Sequence, residues 1–404
     1  MKLSVKSLIV MLLMVIPFNF IVIEGIGNVY LSTIMILITF STLFLVTKGQ
    51  IILNDYALFA VLVFVWTLVV TVLNIIYSNP DLIKLQITNT VIYFQTLLTF
   101  IIAIYFYDKI SYNLFLRLFL IAMIFSCLRV IIEEPNHILK LSTHWEERIE
   151  AYFIGGVNNF SLFVGIAFII SFFQLKKGAW QIIYCLFFLL MIVLGMSRGA
   201  LLGVILTLFI TSLYDMSTAK FKLLMKYTFY SLFSGFIILL VSGKIEEVTD
   251  KIQNRFFSLF TGEQGVNDFF SARGDLLSNI FNRLSDSSIL QILFGHGNGG
   301  IDFYDYVSRQ HFETSHNLII DIFYRNGIIL CFIYILIFVG ISWMFMVKRT
   351  RNKVTLFGIF VFFHLELLVN PVLFAAQVGW VYALFMVYFL NQNSIKPTPI
   401  NRIL

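Results

Sequence analysis

The feature that most restricts this chain is the recurrence, from one end to the other, of apolar runs near or above about 18 residues. A run of that length makes a helix that crosses a hydrocarbon core of roughly 30 Å, and such a helix satisfies its own backbone polar groups there. Spans are read at 8–23, 29–46, 56–77, 88–107, 113–132, 157–173, 180–195, 199–214, 227–243, 327–347, 354–370 and 373–390. The alternation of a membrane barrel is not seen in the sequence. Composition agrees: the 404 residues are 59% hydrophobic and 12% charged, against about 25% charged in soluble domains, and the mean hydropathy is +0.90. The expected fold class is all-α, a polytopic membrane protein with about twelve transmembrane helices. Leu8 to Ile23 follows Lys2 and Lys6 as a signal peptide would, yet it has no small-residue cleavage site and further spans follow, so it is read as the first helix.

The net charge of +6 does not mark a nucleic-acid binder, because the basic residues are dispersed among short loops. They report orientation instead. With the N-terminus inside, cytoplasmic segments hold Lys2, Lys6, Lys48, Lys109, Lys176, Lys177, Lys220, Lys222, Lys226, Lys348, Arg349, Arg351, Lys353, Lys396 and Arg402. The short outer loops hold only Lys84, Lys140, Arg148 and Arg198, while Arg117 and Arg129 fall within a span. The division is then 1–243 with nine spans, 244–326 as a long extracytoplasmic loop, 327–390 with three spans, and a cytoplasmic tail at 391–404. Cys127, Cys185 and Cys331 lie in apolar runs without a CxxC pair, so neither a disulfide framework nor a zinc site is expected.

The long loop is the unusual element, since loops of that length are commonly functional. Ile245 to Phe260 reads as an amphipathic surface helix. Asp275 to Leu293 reads as another, ended by Gly295, Gly297, Gly299 and Gly300. Leu318 to Tyr324 is apolar again and passes through Asn326-Gly327 into the next span.

Ionisable groups at membrane depth are costly and invite a functional hypothesis. Arg198 lies in Met196-Ser197-Arg198-Gly199-Ala200, between two apolar helices at the outer boundary. A guanidinium there can hold a lipid diphosphate bidentately, or it can simply snorkel to headgroups. Arg273, in Ser271-Ala272-Arg273-Gly274, is either a ligand of the same kind or a solvated charge. His316 precedes Asn317 ahead of an apolar segment, and a neutral imidazole is a natural general base for a sugar hydroxyl. Arg129 and Glu133 are spaced to pair on one helical face. Asn158 and Asn159 open the sixth span, while Glu366 and Asn370 share a face of the eleventh. These groups either line a sugar cavity or bond between helices. Asp321 and Arg325 are also one turn apart and can lock their own helix. No phosphate-cradling loop, DxD pair in an outer loop or HExxH is present, so neither metal nor cofactor is expected.

Met196-Ser197-Arg198-Gly199-Ala200-Leu201-Leu202, then Arg273, then Phe294-Gly295-His296-Gly297, then Ser315-His316-Asn317 ahead of Asn326-Gly327-Ile328, resembles the O-antigen ligase and polymerase superfamily, which includes Wzy-type polymerases of O-antigen and capsule. The motifs cover residues 150–330, and the topology covers the whole chain. The resemblance implies a metal-independent glycosyltransferase of the GT-C-like membrane type, working in the cell inner membrane on glycans linked to undecaprenyl diphosphate. It further implies that Arg198 and Arg273 hold the diphosphate and that His316 activates the acceptor hydroxyl. Asn317, Arg129 and Glu366 are added as candidate substrate contacts. Arg325 departs from the family pattern, which is often acidic there in ligases, and reads as an extra cation near the lipid headgroup. Expected partners are the lipid-linked oligosaccharide and membrane lipid, with a chain-length regulator as a further candidate. The leading expectation is a polymerase of repeat units. The alternatives are an O-antigen ligase acting on lipid A-core, and a polysaccharide flippase without covalent chemistry.

Overall fold

In the computed structural model the described residues are 5–19, 21–23, 29–50, 54–75, 80–135, 149–195, 197–215, 280–298, 303–305, 310–312, 317–347, 353–369 and 376–391. The helices are α1 (Val5–Met14), α2 (Leu31–Val46), α3 (Asp55–Ile75), α4 (Pro80–Phe106), α5 (Tyr112–Glu133), α6 (Val157–Gln174), α7 (Ala179–Leu194), α8 (Arg198–Asp215), α9 (Ile289–Phe294), α10 (Leu318–Val347), α11 (Val354–Val369) and α12 (Ala376–Leu390). Among the described residues, five stretches are long and apolar enough to cross a membrane: Asp55–Ile75, Gln86–Phe106, Tyr112–Glu133, Val157–Gln174 and Leu318–Val347. Five shorter apolar helices pack among them, Leu31–Val46, Ala179–Leu194, Gly199–Tyr214, Val354–Leu368 and Gln377–Leu390. The molecule is a helical, multi-pass membrane protein. The expected ninth span at 227–243 and the expected helix at 245–260 lie outside the described residues.

Most expected spans coincide with helices to within a few residues, and the departures have local causes. The first expected span, 8–23, is α-helical only to Met14. Pro17 sits in a 3-10 turn at Ile16–Phe18, where its ring and missing N–H stop the helix. The chain then forms β1 (Ile21–Ile23), paired antiparallel with β2 (Val29–Tyr30). A second ribbon, β3 (Phe303–Asp305) with β4 (Gln310–Phe312), lies in the long loop. The single helix expected over 275–293 is interrupted within its described part: residues 280–285 are helical, and Ser288 starts α9 after a turn. Ser288 and Gln291 form a reciprocal capping box, the Ser-x-x-Gln signature of a new N-terminus.

The core is concentrated on α6, α11 and α12. Nearly every residue of α6 from Val157 to Ser171 is buried, as are Phe357, Phe360, Phe362, Phe363, Phe385 and Phe389 on the other two. By contrast, α3 exposes Leu58, Leu62, Val65, Val69 and Leu73 to the bilayer side.

Two glycine contacts fix how α8 meets α11. A Cβ at Gly203 would stand 3.0 Å from Glu366 Oε1, and one at Gly358 would stand 3.3 Å from Thr211 Cγ2. Both pairs fit one antiparallel register, with small residues admitting close approach. At its far end α8 meets α10, where the Tyr214 hydroxyl donates to the Phe345 carbonyl at 3.0 Å. Since α10 and α11 are joined by a short connection, α8 and the part of α10 after its break at Gly327 run in the same direction and start at the same end of the bundle.

Candidate functional site

At that shared end two polar residues cap helices. Ser197 caps α8, its hydroxyl accepting from Ala200 N at 3.4 Å, so Arg198 is the first residue of the helix. Asn317 caps α10, its Oδ1 accepting from Ile319 N at 3.0 Å and Ile320 N at 3.3 Å. His316 stands next to that cap in sequence but, like Arg273 and Asn370, lies outside the described residues. The α8 N-terminus faces that end, whereas residues 318–326 fold back on the rest of α10, where the Cys331 thiol donates to the Ile319 carbonyl at 3.7 Å.

Between them the loop after α9 is clasped onto α10, residue by residue. The Phe294 ring packs on Trp66 of α3, with centroids 5.0 Å apart. Gly295 crosses the backbone of Arg325 so closely that a Cβ would fall 2.2 Å from the Arg325 carbonyl oxygen. Reciprocally, a Cβ on Gly327 would fall 2.2 Å from the Leu293 carbonyl oxygen. Both glycines have positive φ, +91° and +77°, and Gly327 breaks α10 at the point of crossing. Two backbone bonds hold the crossing: His296 N to Tyr324 O at 2.8 Å and Gly297 N to Arg325 O at 2.9 Å. The His296 ring stacks on Tyr324 with centroids 4.4 Å apart, and its Nε2 bonds the Ser287 hydroxyl at 2.9 Å.

Asn298 finishes the clasp by plugging into the helices. Its carbonyl accepts from Asn89 Nδ2 at 2.6 Å and from Arg325 Nη1 at 3.1 Å, and its own amide donates to the Thr90 hydroxyl at 3.1 Å. Asp321, Arg325 and Asn326 are buried around it. Arg325 is thus committed to the interior, which differs from the headgroup position expected for it. Burial, with the Arg283 charge second, pushes His296 below the usual imidazole range. Asn298, Asn89 and Thr90 were missed in the sequence because their pairing joins positions about 209 apart, which no local motif records. The glycine spacing in Phe294-Gly295-His296-Gly297 was the available signal.

The remaining expected contacts have structural partners. Arg129 Nε pairs with Glu133 at 2.7 Å, as the spacing implied. Its Nη1 donates to the Pro17 carbonyl at 2.7 Å and to that of Asn19 at 3.3 Å, and its guanidinium lies 4.4 Å over the Phe153 ring. These bonds tie the end of α1 to α5. Glu134 does similar work, its carboxylate accepting from Glu150 N at 2.7 Å and Ala151 N at 2.9 Å. Asn159 donates to the Ile154 and Gly155 carbonyls and so steadies the turn before α6. Glu366 is buried on α11 facing Gly203, one and a half turns into α8 from Arg198. His364 faces the opposite way, its Nε2 3.1 Å from the Tyr382 hydroxyl. Among the described residues, no three His, Cys, Asp or Glu side chains converge as a metal site would require.

The fold and this end of it define a class: a multi-pass helical membrane protein with a long inserted loop clasped between its spans. Residues 183–335 match the family model Wzy_C, described as O-antigen ligase, which bears out the resemblance to the O-antigen ligase and polymerase superfamily. The matched segment runs from α7 into α10 and takes in Arg198, Arg273, the clasp and His316. No curated protein matches the chain.

Proposed function

We propose that this protein is a glycosyltransferase of the GT-C-like type that polymerises lipid-linked repeat units at the outer face of the inner membrane. The donor is a glycan on undecaprenyl diphosphate, and the acceptor is a new lipid-linked repeat. The supporting observation is that α8 and the part of α10 after Gly327 start at one end of the bundle, with the capping residues Ser197 and Asn317 in that half of it. The bias of lysine and arginine toward the opposite loops supports an outward orientation of that end, twelve spans and cytoplasmic termini.

In this reading Arg198 and Arg273 hold the diphosphate and offset the negative charge that develops as it leaves, the part a divalent cation plays elsewhere. The anomeric carbon–oxygen bond to the diphosphate breaks as the acceptor oxygen attacks from the opposite side. His316 accepts the hydroxyl proton and needs to be neutral to do so. Inversion at the anomeric carbon follows from the in-line geometry.

A second reading, ligation of finished glycan to lipid A-core, is favoured by the match to the O-antigen ligase family. Donor chemistry is common to both, and only the acceptor differs. A deletion strain separates them: polymerase loss leaves one repeat on the core, whereas ligase loss leaves the core bare. Within the first reading, His316→Ala should leave single-repeat product at normal protein level. A full chain-length ladder from that strain would overturn the assignment of the base.

A further inference from the structure

The bundle contains a cleft that the proposed chemistry has not used. A cavity of about 220 Å³ adjoins a wider one of about 590 Å³, and they share walls that include Phe59, Val63, Tyr93, Ile337, Tyr382 and Met386. The walls come from α3, α4, α10 and α12 and are almost wholly apolar. Phe59 and Leu336 on the rim are exposed, so the mouth opens sideways between α3 and α10. At that depth the surrounding medium is hydrocarbon, and an apolar cleft open to it is filled by a lipid chain.

Two observations indicate which chain. First, the cleft is polar at one end. Asn326 Nδ2 donates to the Tyr93 hydroxyl at 3.4 Å where α10 breaks. This is the clasp end, so a lipid in the cleft would lie with its polar head there and its chain along the apolar walls. Second, the cleft is long. On α10 it reaches from Asn326 to Ile341, about 22 Å at the helical rise, and the wider part continues to Tyr56 and Leu390 at the opposite helix ends. Half of a bilayer core is only about 15 Å. An acyl chain belonging to one leaflet stops near the midplane, whereas this cleft passes it.

The cleft is also separate from α8. His364 lines it, while Glu366, two residues on and on the other face of α11, packs against Gly203 of α8. We propose that the α3–α10 cleft holds the polyisoprenoid tail of the lipid-linked acceptor, apart from the donor diphosphate held from α8. The assignment to the acceptor rests on the polymerase reading; in a ligase only the donor carries a polyisoprenoid, and the same cleft would hold that tail instead.

The test uses the full-length protein in phosphatidylethanolamine–phosphatidylglycerol nanodiscs and a diazirine-bearing undecaprenyl phosphate. Photolabel should map to the peptides holding Phe59, Val63 and Ile337. It should be displaced by unlabelled undecaprenyl phosphate and not by the same excess of phosphatidylglycerol. Val63→Trp with Ile337→Trp should cut that labelling at least about tenfold. Mapping on the unaltered protein decides the matter even if the variant fails to fold. Label confined to other helices, or equal displacement by phosphatidylglycerol, overturns the proposal. Cleft labelling without any glycan transfer would sink the polymerase reading and leave the cleft. Polymer made at full rate with the cleft unlabelled would do the reverse.

Discussion

Adding one methyl group at Gly295 or Gly327 should unlock the clasp. In each case the new Cβ would lie 2.2 Å from a backbone carbonyl oxygen, of Arg325 in one case and of Leu293 in the other. No rotamer change can relieve a backbone clash, so the loop and α10 must separate. An alanine held at positive φ costs about 1–2 kcal/mol. Separation also breaks the bonds from His296 N and Gly297 N, about 1 kcal/mol each. The sum is about 3–4 kcal/mol for either substitution. Gly340→Ala is the matched control, because nothing lies within 4 Å of its added Cβ and the site is inside α10. It should be neutral or stabilise by up to about 1 kcal/mol. Unfolding in mixed micelles, titrated with a denaturing detergent, gives the comparison. If Gly295→Ala and Gly327→Ala both fall within about 0.5 kcal/mol of the parent, the interlocked crossing is not a stabilising feature.

Two further outcomes bear on the same end of the bundle. Arg129→Ala removes bonds to Glu133, Pro17 and Asn19, and should destabilise the protein by about 2–3 kcal/mol, with activity falling only as folded protein is lost. A normal melting profile with a raised KM would instead return Arg129 to the substrate. For His296, burial lowers the folded imidazole's proton affinity relative to the unfolded chain, so the unfolded state binds more protons at acidic pH. The clasp should hold fully above about pH 6.5 and weaken as pH falls below it. Amide protection over 294–298, taken relative to the intrinsic exchange rate at each pH, should therefore fall at pH about 5.5 compared with 7.5, and His296→Gln should flatten that difference; equal protection at both values would refute it.

The spans were legible because their length and hydrophobicity are dictated by the bilayer, and α5, α6, α7 and α8 begin and end within a residue or two of expectation. Which spans are central was not legible. The sequences of α3 and α6 are similarly apolar, yet one faces lipid and the other is enclosed, since in a membrane both surroundings favour the same side chains. The cut at Met14 needed more weight on Pro17, and the break before α9 needed the Ser288–Gln291 pair to be read as a cap. For the site, spacing alone paired Arg129 with Glu133. It could not show that Arg325 turns inward to Asn298, a partner 27 positions away that is brought close by the glycine crossing.

The central claim, that arginines from α8 and the loop together with His316 perform glycosyl transfer, is tested most directly with purified protein in liposomes. A single lipid-linked repeat unit is the only substrate, and products are separated by size. The parent should build a ladder and release undecaprenyl diphosphate. Arg198→Ala, Arg273→Ala and His316→Ala, each correctly folded, should slow transfer by about 10²–10⁴-fold. A ladder formed at the parental rate by any two of the three variants would contradict the account.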